Sequence, residues 1–155
     1  MSIRIKITDK EKIFRSIAER IFRKYNIELN CFKKDNRISG VMETVFFNNK
    51  PFFPNIHYNW KNASHWSLDA LTCILLHETF HAIQDRPYDT DEEMIEEEYR
   101  AERFALNEFA KMNYPAYEKE CETMQRVIKG KSRRKSMAFD KIHRAAYMRI
   151  KEYQS

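Results

Sequence analysis

The feature that most constrains this chain is a His-Glu-x-x-His run from His77 to His81, which ends an apolar segment. Four residues advance an α-helix by slightly more than one turn, so the two imidazoles stand on one face, one above the other. In that arrangement they can offer two nitrogen atoms to one ion. Glu78 lies beside the pair, where a carboxylate can accept a proton. The run therefore predicts a helical metal site with an adjacent base.

A second acidic motif follows at residues 98–102, seventeen positions after the second histidine. Ala101 and Ala105 give this stretch a face of small side chains, which lets a helix pack closely on the His-bearing helix. We expect Glu98 to reach the ion as the third ligand. An acidic run is usually a solvated helix face, so the neighbouring carboxylates are alternatives to it: Glu96, Glu97 and Glu102.

These residue types suit a hydrolytic zinc site. Zinc in a hydrolase takes three protein ligands and keeps a fourth position for water, whose pKa falls from about 15.7 towards about 7 on binding. Glu78 is placed to accept the proton of that water and to pass it to a leaving amine. Glu102, one turn after Glu98, could bind the free nitrogen of His77 and thereby fix the orientation of the ring.

Capping residues and apolar spacing predict the helices around the two motifs. The capping signals are Thr8 with Glu11, Ser67, and Thr90 with Glu93. The predicted helices cover residues 9–24, 68–85, 91–112, 116–128 and 136–153. Segments rich in branched and aromatic residues predict strands at residues 27–32, 37–47 and 56–60, and we expect the first two to pair with each other.

Together the two motifs resemble the gluzincin pattern, in which H-E-x-x-H is followed by E-Y-x-A-[D/E]-x-F-A. In that pattern the first Glu of the second motif is the metal ligand, and the acidic residue four positions later lies just behind the ligands; these roles fall on Glu98 and Glu102. The metzincin pattern needs Gly and His where this chain has Gln84 and Pro87. The chain is most similar to ImmA/IrrE-type proteins and small phage-encoded metallopeptidases, over roughly residues 9–112.

The resemblance implies an α+β domain of zincin-like type, with a small mixed sheet and the HExxH helix packed on the Glu-bearing helix. Residues 1–114 would form this metallopeptidase domain, and residues 115–155 a helical, basic C-terminal extension of it. The strand ahead of the His-bearing helix would border the cleft and pair with extended substrate. Flanking prolines favour an edge position for that strand, which comprises Asn55, Ile56, His57, Tyr58 and Asn59.

The expected function is zinc-dependent peptide hydrolysis, in which Glu78 activates a zinc-bound water. One alternative is a regulatory metalloprotein of ImmA/IrrE type with one narrow protein or DNA-linked partner. Others are a non-catalytic metal-binding scaffold and a structural pair of histidines without metal. A tetrahedral intermediate needs a donor besides zinc, and the sequence does not single one out. The candidates are His57, His65, His143, Tyr58, Tyr99 and Tyr147.

Composition indicates the number of domains and the cellular compartment. At 155 residues the chain is long enough for one domain with a real core and too short for two ordinary ones. Its three cysteines lie far apart and match no disulfide framework, which favours a reducing, cytoplasmic compartment. No apolar run approaches the about 20 residues that a bilayer requires, and the N-terminus lacks a signal-peptide core, so we expect no membrane partner.

Charge is distributed unevenly along the chain, whose net charge is +5. Residues 89–108 are strongly acidic, whereas a basic run from Lys131 to Lys135 lies at the centre of the C-terminal region. The basic run could contact nucleic-acid phosphates. Because no nucleic-acid motif accompanies it, a solvated or partner-docking surface is favoured. The expected partner is a peptide or protein substrate.

Overall fold

Helices and a small sheet make up the part of the chain that the structure describes. The computed structural model describes residues 9–46, 54–84 and 90–112. Its elements, in chain order, are α1 (Asp9–Lys24), β1 (Phe32–Lys34), β2 (Met42–Val45), β3 (Asn55–Tyr58), α2 (Trp60–Ala63), α3 (Leu68–Gln84) and α4 (Asp91–Met112), with a 3-10 turn at Leu29–Cys31 before β1. This is an α+β arrangement with a small mixed sheet. The predicted C-terminal extension, residues 115–155, lies outside the described residues.

Two of the predicted helix caps are observed. The Ser67 hydroxyl accepts a hydrogen bond from the Ala70 N–H at 3.1 Å and starts α3. The Thr90 hydroxyl accepts one from the Glu93 N–H at 3.1 Å and starts α4. Each bond satisfies a main-chain donor that has no partner within its helix. Thr8 lies outside the described residues. None of the helices in the described ranges combines the length and apolarity needed to cross a bilayer.

The sheet has the strand order β1-β3-β2, with β3 at its centre. β3 pairs in parallel with β1 and antiparallel with β2. The prediction that β3 lies at a sheet edge is therefore wrong. Proline cannot donate to a strand ladder, but Pro54 precedes the first strand residue, Asn55, so its missing N–H lies outside the paired segment. β3 can therefore form main-chain hydrogen bonds with a strand on each side.

The expected pairing of the first two strands with each other is also wrong, because β3 lies between them. Their connection, residues 35–41, passes the end of β3 instead of forming a tight hairpin. The Asn59 side-chain amide donates to the Ile38 carbonyl at 3.0 Å, and the Asn62 amide donates to the Gly40 carbonyl at 2.9 Å. These bonds hold the connection against the start of α2 and keep β1 and β2 apart.

An aromatic cluster packs α1 on one face of the sheet. Phe14 of α1 lies edge-on to Phe32 of β1 at 5.5 Å between ring centroids, and Phe32 stacks on Tyr58 of β3 at 4.5 Å. Trp60, the first residue of α2, stacks on Phe14 at 5.8 Å. Such pairs contribute about 0.5–1.5 kcal/mol each beyond the area they bury. The cluster therefore fixes α1, β1 and β3 relative to one another.

A buried polar network lies beside these rings. Glu11 of α1 is 1% exposed, and its two oxygens accept hydrogen bonds from the Tyr58 hydroxyl at 2.9 Å and from Lys34 Nζ at 3.2 Å. Arg15 Nη1 donates to the Tyr58 hydroxyl at 2.8 Å. Burial raises the pKa of Tyr58 to about 12, so the hydroxyl keeps the proton that it donates. A buried carboxylate is stable only with such partners.

We expect Tyr58→Phe to lower the free energy of unfolding by about 1–3 kcal/mol, because the variant leaves the buried Glu11 carboxylate with one donor fewer. The aromatic stacking is retained, so the change reports on the hydroxyl alone. Urea denaturation followed by circular dichroism gives the value. A loss below about 0.5 kcal/mol, the range of ordinary surface substitutions, would show that the network adds little to stability.

Small side chains bring α4 close to α3. Ala101 and Ala105 are 0% and 1% exposed. Phe104 of α4 packs on Phe80 of α3 with ring centroids 5.4 Å apart. Small residues at a helix contact shorten the distance between the axes, so short side chains on one helix can reach those on the other. This contact positions the candidate metal centre described below.

The C-terminal half of α4 also contacts the end of α1. The Glu108 carboxylate accepts hydrogen bonds from Lys24 Nζ at 2.8 Å and from Lys111 Nζ at 3.1 Å. Burial alone raises the pKa of Glu108, but the hydrogen bonds from the two ammonium groups outweigh it and lower the pKa to about 2. The folded chain therefore favours the ionised carboxylate.

This pair predicts a pH-dependent stability. Because the pKa of Glu108 falls from 4.5 to about 2 on folding, its contribution is complete above pH 4.5 and is lost as the pH drops to 2. At pH 7, Glu108→Gln should reduce the free energy of unfolding by about 1 kcal/mol, since Lys24 is largely exposed and solvent screens the attraction. Urea denaturation across this pH range measures both proteins; a difference that stays constant with pH would contradict the assignment.

Candidate metal centre

Three side chains from α3 and α4 converge on one point. His77 Nε2 lies 3.0 Å from His81 Nε2, one turn further along α3. The Glu98 carboxylate of α4 spans the pair, with Oε2 3.0 Å from His77 Nε2 and Oε1 3.0 Å from His81 Nε2. In the part of the chain that the structure describes, these three residues form the one group able to hold a metal ion.

The donor atoms fit a zinc ion in both type and spacing. Two imidazole nitrogens and one carboxylate oxygen form a common ligand set for zinc, with ligand distances of about 2.0–2.2 Å. Tetrahedral ligands at those distances stand about 3.3–3.6 Å from one another. The two Nε2 atoms are 3.0 Å apart, and each lies 3.0 Å from a different Glu98 oxygen, so a shift on the order of half an ångström would set these donors around one ion. Among the described residues, no fourth His, Cys, Asp or Glu belongs to this group.

Glu102 contacts the ring nitrogen of His77 that points away from the group. Its Oε1 lies 2.6 Å from His77 Nδ1, the ring nitrogen that faces away from the three-residue group. A carboxylate at this nitrogen favours the tautomer with the proton on Nδ1, which leaves the Nε2 lone pair free for a metal. One turn of α4 separates Glu102 from Glu98, so both carboxylates reach the same imidazole from one helix face.

The centre attracts positive charge. Burial lowers the pKa of His77, but the Glu102 and Glu98 carboxylates outweigh it and raise the pKa well above the ordinary 6.5. Burial raises the pKa of Glu98, but the imidazoles of His77 and His81 hold it far below its usual range. Both directions have one cause, which is the attraction between the buried carboxylates and the imidazoles beside them. A proton or a metal ion between them is therefore stabilised.

Glu78 lies next to these ligands and is held by the sheet. The Thr44 hydroxyl, on β2, is 2.5 Å from Glu78 Oε2 and 3.1 Å from the Glu78 main-chain oxygen. Burial raises the pKa of the Glu78 carboxyl, and the positive charge on His77 opposes this shift. The sequence analysis did not identify Thr44, because a threonine in a strand has no distinguishing pattern.

The edge of the sheet next to the centre is β2. The Asn59 N–H donates to the Val41 carbonyl at 2.9 Å, and hydrogen-bonded positions alternate along an antiparallel pair. Main-chain groups of Glu43 therefore point to β3, whereas those of Met42 and Thr44 point to the outer side. No described strand pairs with that side. The edge that borders the centre is thus β2, and not the strand that the sequence indicated.

No family model, curated protein or solved structure matches the chain. The resemblance to gluzincins therefore stays a prediction.

The other candidate residues lie elsewhere or are engaged elsewhere. Side chains alternate along a strand, and Thr44 is paired with Ile56, so His57 is on the opposite sheet face, where its Nδ1 lies 3.0 Å from Asp35 Oδ2. The Tyr58 hydroxyl is engaged with Glu11. His65 is exposed in the turn before α3. His143 and Tyr147 lie outside the described residues, and a role for Tyr99 stays a prediction.

The neighbouring acidic residues of α4 do not join the group. Glu96 Oε1 lies 3.3 Å from Arg100 Nε, and its side chain is 40% exposed. Glu97 is buried, with Oε1 3.6 Å from Arg100 Nη1. Successive helix residues point about 100° apart, so the three consecutive carboxylates point in different directions. Of the three, Glu98 is the one that belongs to the group with His77 and His81.

Proposed function

We propose that this chain is a zinc-dependent metallopeptidase of gluzincin type. The observation that carries the proposal is the convergence of His77, His81 and Glu98: the two Nε2 atoms are 3.0 Å apart, and each lies 3.0 Å from one oxygen of the Glu98 carboxylate. The Glu78 carboxylate adjoins these donors, and another carboxylate, Glu102, contacts the outer nitrogen of His77. A ligand set, a base and an outer carboxylate are the parts that such an enzyme needs.

The three donors would hold the ion. When bound, zinc supplies Lewis acidity, which polarises a peptide carbonyl and lowers the pKa of water from about 15.7 towards about 7. Glu102 would keep the His77 ring in the required orientation and tautomer. The burial of this cluster strengthens each electrostatic interaction, because little water screens it.

Glu78 would move the proton. In hydrolysis a water oxygen bonds to the peptide carbonyl carbon, and the Glu78 carboxylate takes the proton that this water releases. The same carboxyl group then gives the proton to the amide nitrogen as the C–N bond breaks, so the amine leaves in neutral form. The base returns to its ionised state, and one water is consumed for each bond cleaved.

The outer edge of β2 would bind the substrate. The main-chain groups of Met42 and Thr44 face the side on which no described strand pairs. An extended peptide could add to this edge as a further strand and gain main-chain hydrogen bonds without regard to its sequence. This proposal moves the substrate-binding strand from β3 to β2.

The number of donors favours a catalytic centre over a structural one. Structural zinc sites close the coordination shell with four protein ligands, whereas catalytic sites use three and keep one position open. Three described side chains converge here. A scaffold also has no need of an additional carboxylate beside the ligands, whereas Glu78 is held there by a hydrogen bond.

Metal analysis and peptide cleavage together test the proposal. We expect one zinc per purified chain by mass spectrometry, cleavage of peptides in a mixed library, loss of cleavage with a chelator and recovery on adding zinc. Zinc without cleavage would favour the scaffold. Cleavage confined to one sequence would favour the regulatory metalloprotein. A chain that binds no zinc at all would leave only the structural pair of histidines.

A further inference from the structure

The contact between Thr44 and Glu78 has a specific geometry. One hydroxyl lies within hydrogen-bond distance of two oxygens of the same residue, at 2.5 Å from Oε2 and 3.1 Å from the main-chain oxygen. The hydroxyl has one proton, and the shorter contact indicates that it donates mainly to the Glu78 carboxylate, with the main-chain oxygen as a weaker second acceptor. A glutamate has three rotatable side-chain bonds, and ordering it costs up to about 2 kcal/mol. The contact restricts that freedom before any substrate arrives.

No other side chain of β2 can make this contact. Side chains alternate along the strand, so Glu43 and Val45 face away from the side that Thr44 occupies. Met42 shares the Thr44 side, but it is a buried thioether with no proton to donate. Threonine is also stiff at its first side-chain bond, which holds the hydroxyl in a defined direction.

We propose that Thr44 is a positioning residue, which holds the Glu78 carboxylate where it accepts a proton; this inference rests on the proposed function. The main-chain groups of Thr44 face the outer edge of β2, where an extended peptide would pair. A single residue thus links the strand that aligns the substrate to the carboxylate that acts on it. A fixed distance between base and scissile bond contributes to rate because it avoids a search over conformations.

The first test reads the carboxylate directly, without requiring activity. The full-length chain is labelled with ¹³C at the glutamate carboxyl carbons, zinc is added, and the Glu78 resonance is assigned by its loss in Glu78→Gln. We expect Thr44→Val, which keeps the shape but removes the hydroxyl, to move and broaden this resonance. Thr44→Ser, which keeps the hydroxyl, should restore the wild-type position.

A matched control separates this contact from general loss of a buried hydroxyl. Thr72→Val makes the same chemical change in α3, where the Thr72 hydroxyl donates to the Leu68 carbonyl and does not contact Glu78. The Glu78 resonance should stay unchanged in this variant. An unchanged resonance in Thr44→Val would overturn the inference. Equal disturbance in Thr44→Ser and Thr44→Val would also overturn it, because the methyl group would then be responsible.

The second test is kinetic. In Thr44→Val, kcat should fall on the order of 10- to 100-fold with KM nearly unchanged and one zinc still bound, as expected for a misplaced base. Thr44→Ser should recover most of the rate. A wild-type chain that cleaves no peptide, combined with a shifted resonance in Thr44→Val, would refute the proposed function and leave the Thr44 contact established. A wild-type rate in Thr44→Val would refute the positioning role and leave the peptidase intact.

Discussion

Glu78→Gln is expected to abolish peptide hydrolysis, with a fall in kcat on the order of 10²–10⁴-fold, while one zinc per chain is retained. The amide has nearly the same shape as the carboxylate, and it can still meet the Thr44 hydroxyl through its oxygen. It cannot accept a proton from the attacking water. Since Glu78 is not among the three converging donors, the ion should bind with similar affinity. Rates on the best library peptide and zinc content by mass spectrometry measure the two quantities.

The control for this variant is Glu96→Gln, which makes the same chemical change at a partly exposed residue that contacts Arg100. It should leave both rate and zinc content unchanged. If Glu78→Gln cleaved peptides at the wild-type rate, Glu78 would not be the base. If it lost its zinc, the carboxylate would have to be a ligand, and the separation of roles between Glu78 and the three donors would be wrong.

Removal of the proposed carboxylate ligand, Glu98, should have the largest effect on metal affinity. We expect Glu98→Gln to weaken zinc binding by about 10²–10⁴-fold, because loss of one partner from a buried charged cluster costs about 3–5 kcal/mol. Glu102→Gln should weaken it by about 10- to 100-fold, since that residue acts through the His77 ring. The two variants together test whether Glu98 binds the ion directly and Glu102 acts through His77.

Competition with a chromophoric chelator gives these affinities. Glu97→Gln is the matched control, because Glu97 precedes the ligand directly in α4 but pairs with Arg100. Its zinc affinity should match that of the wild-type chain. Equal losses in Glu97→Gln and Glu98→Gln would point to a general effect of acidic charge. A greater loss in Glu102→Gln than in Glu98→Gln would reverse the assigned roles.

Helix periodicity allowed the residues of the candidate centre to be predicted from the sequence. His77 and His81 are one turn apart, and so are Glu98 and Glu102, so each pair shares a helix face in any fold that keeps the helices. The capping residues Ser67 and Thr90 define where those helices begin, and both caps are observed. Relations of this kind span a few residues, and they therefore do not depend on how the rest of the chain folds.

Strand pairing could not be inferred in the same way. β1 and β2 are consecutive in the chain, yet β3 lies between them, because partners in a sheet are chosen by contacts between distant segments. Pro54 indicated an edge strand, but it lies just before Asn55, where β3 begins, so its missing N–H removes no hydrogen bond between strands. The buried network of Glu11, Tyr58 and Lys34 could not be predicted either, because its members lie in separate elements and no local sequence pattern links them.

By itself the sequence determined the two helices of the candidate centre and the residue types they present, because helix spacing and capping act over single turns. Only the tertiary structure decided that Glu98, and not Glu96 or Glu97, faces the histidines, that β2 borders the centre, and that Thr44 holds Glu78. Each of these depends on how separate elements pack on one another. Packing of that kind is set by the shape of the whole core, which no local pattern encodes.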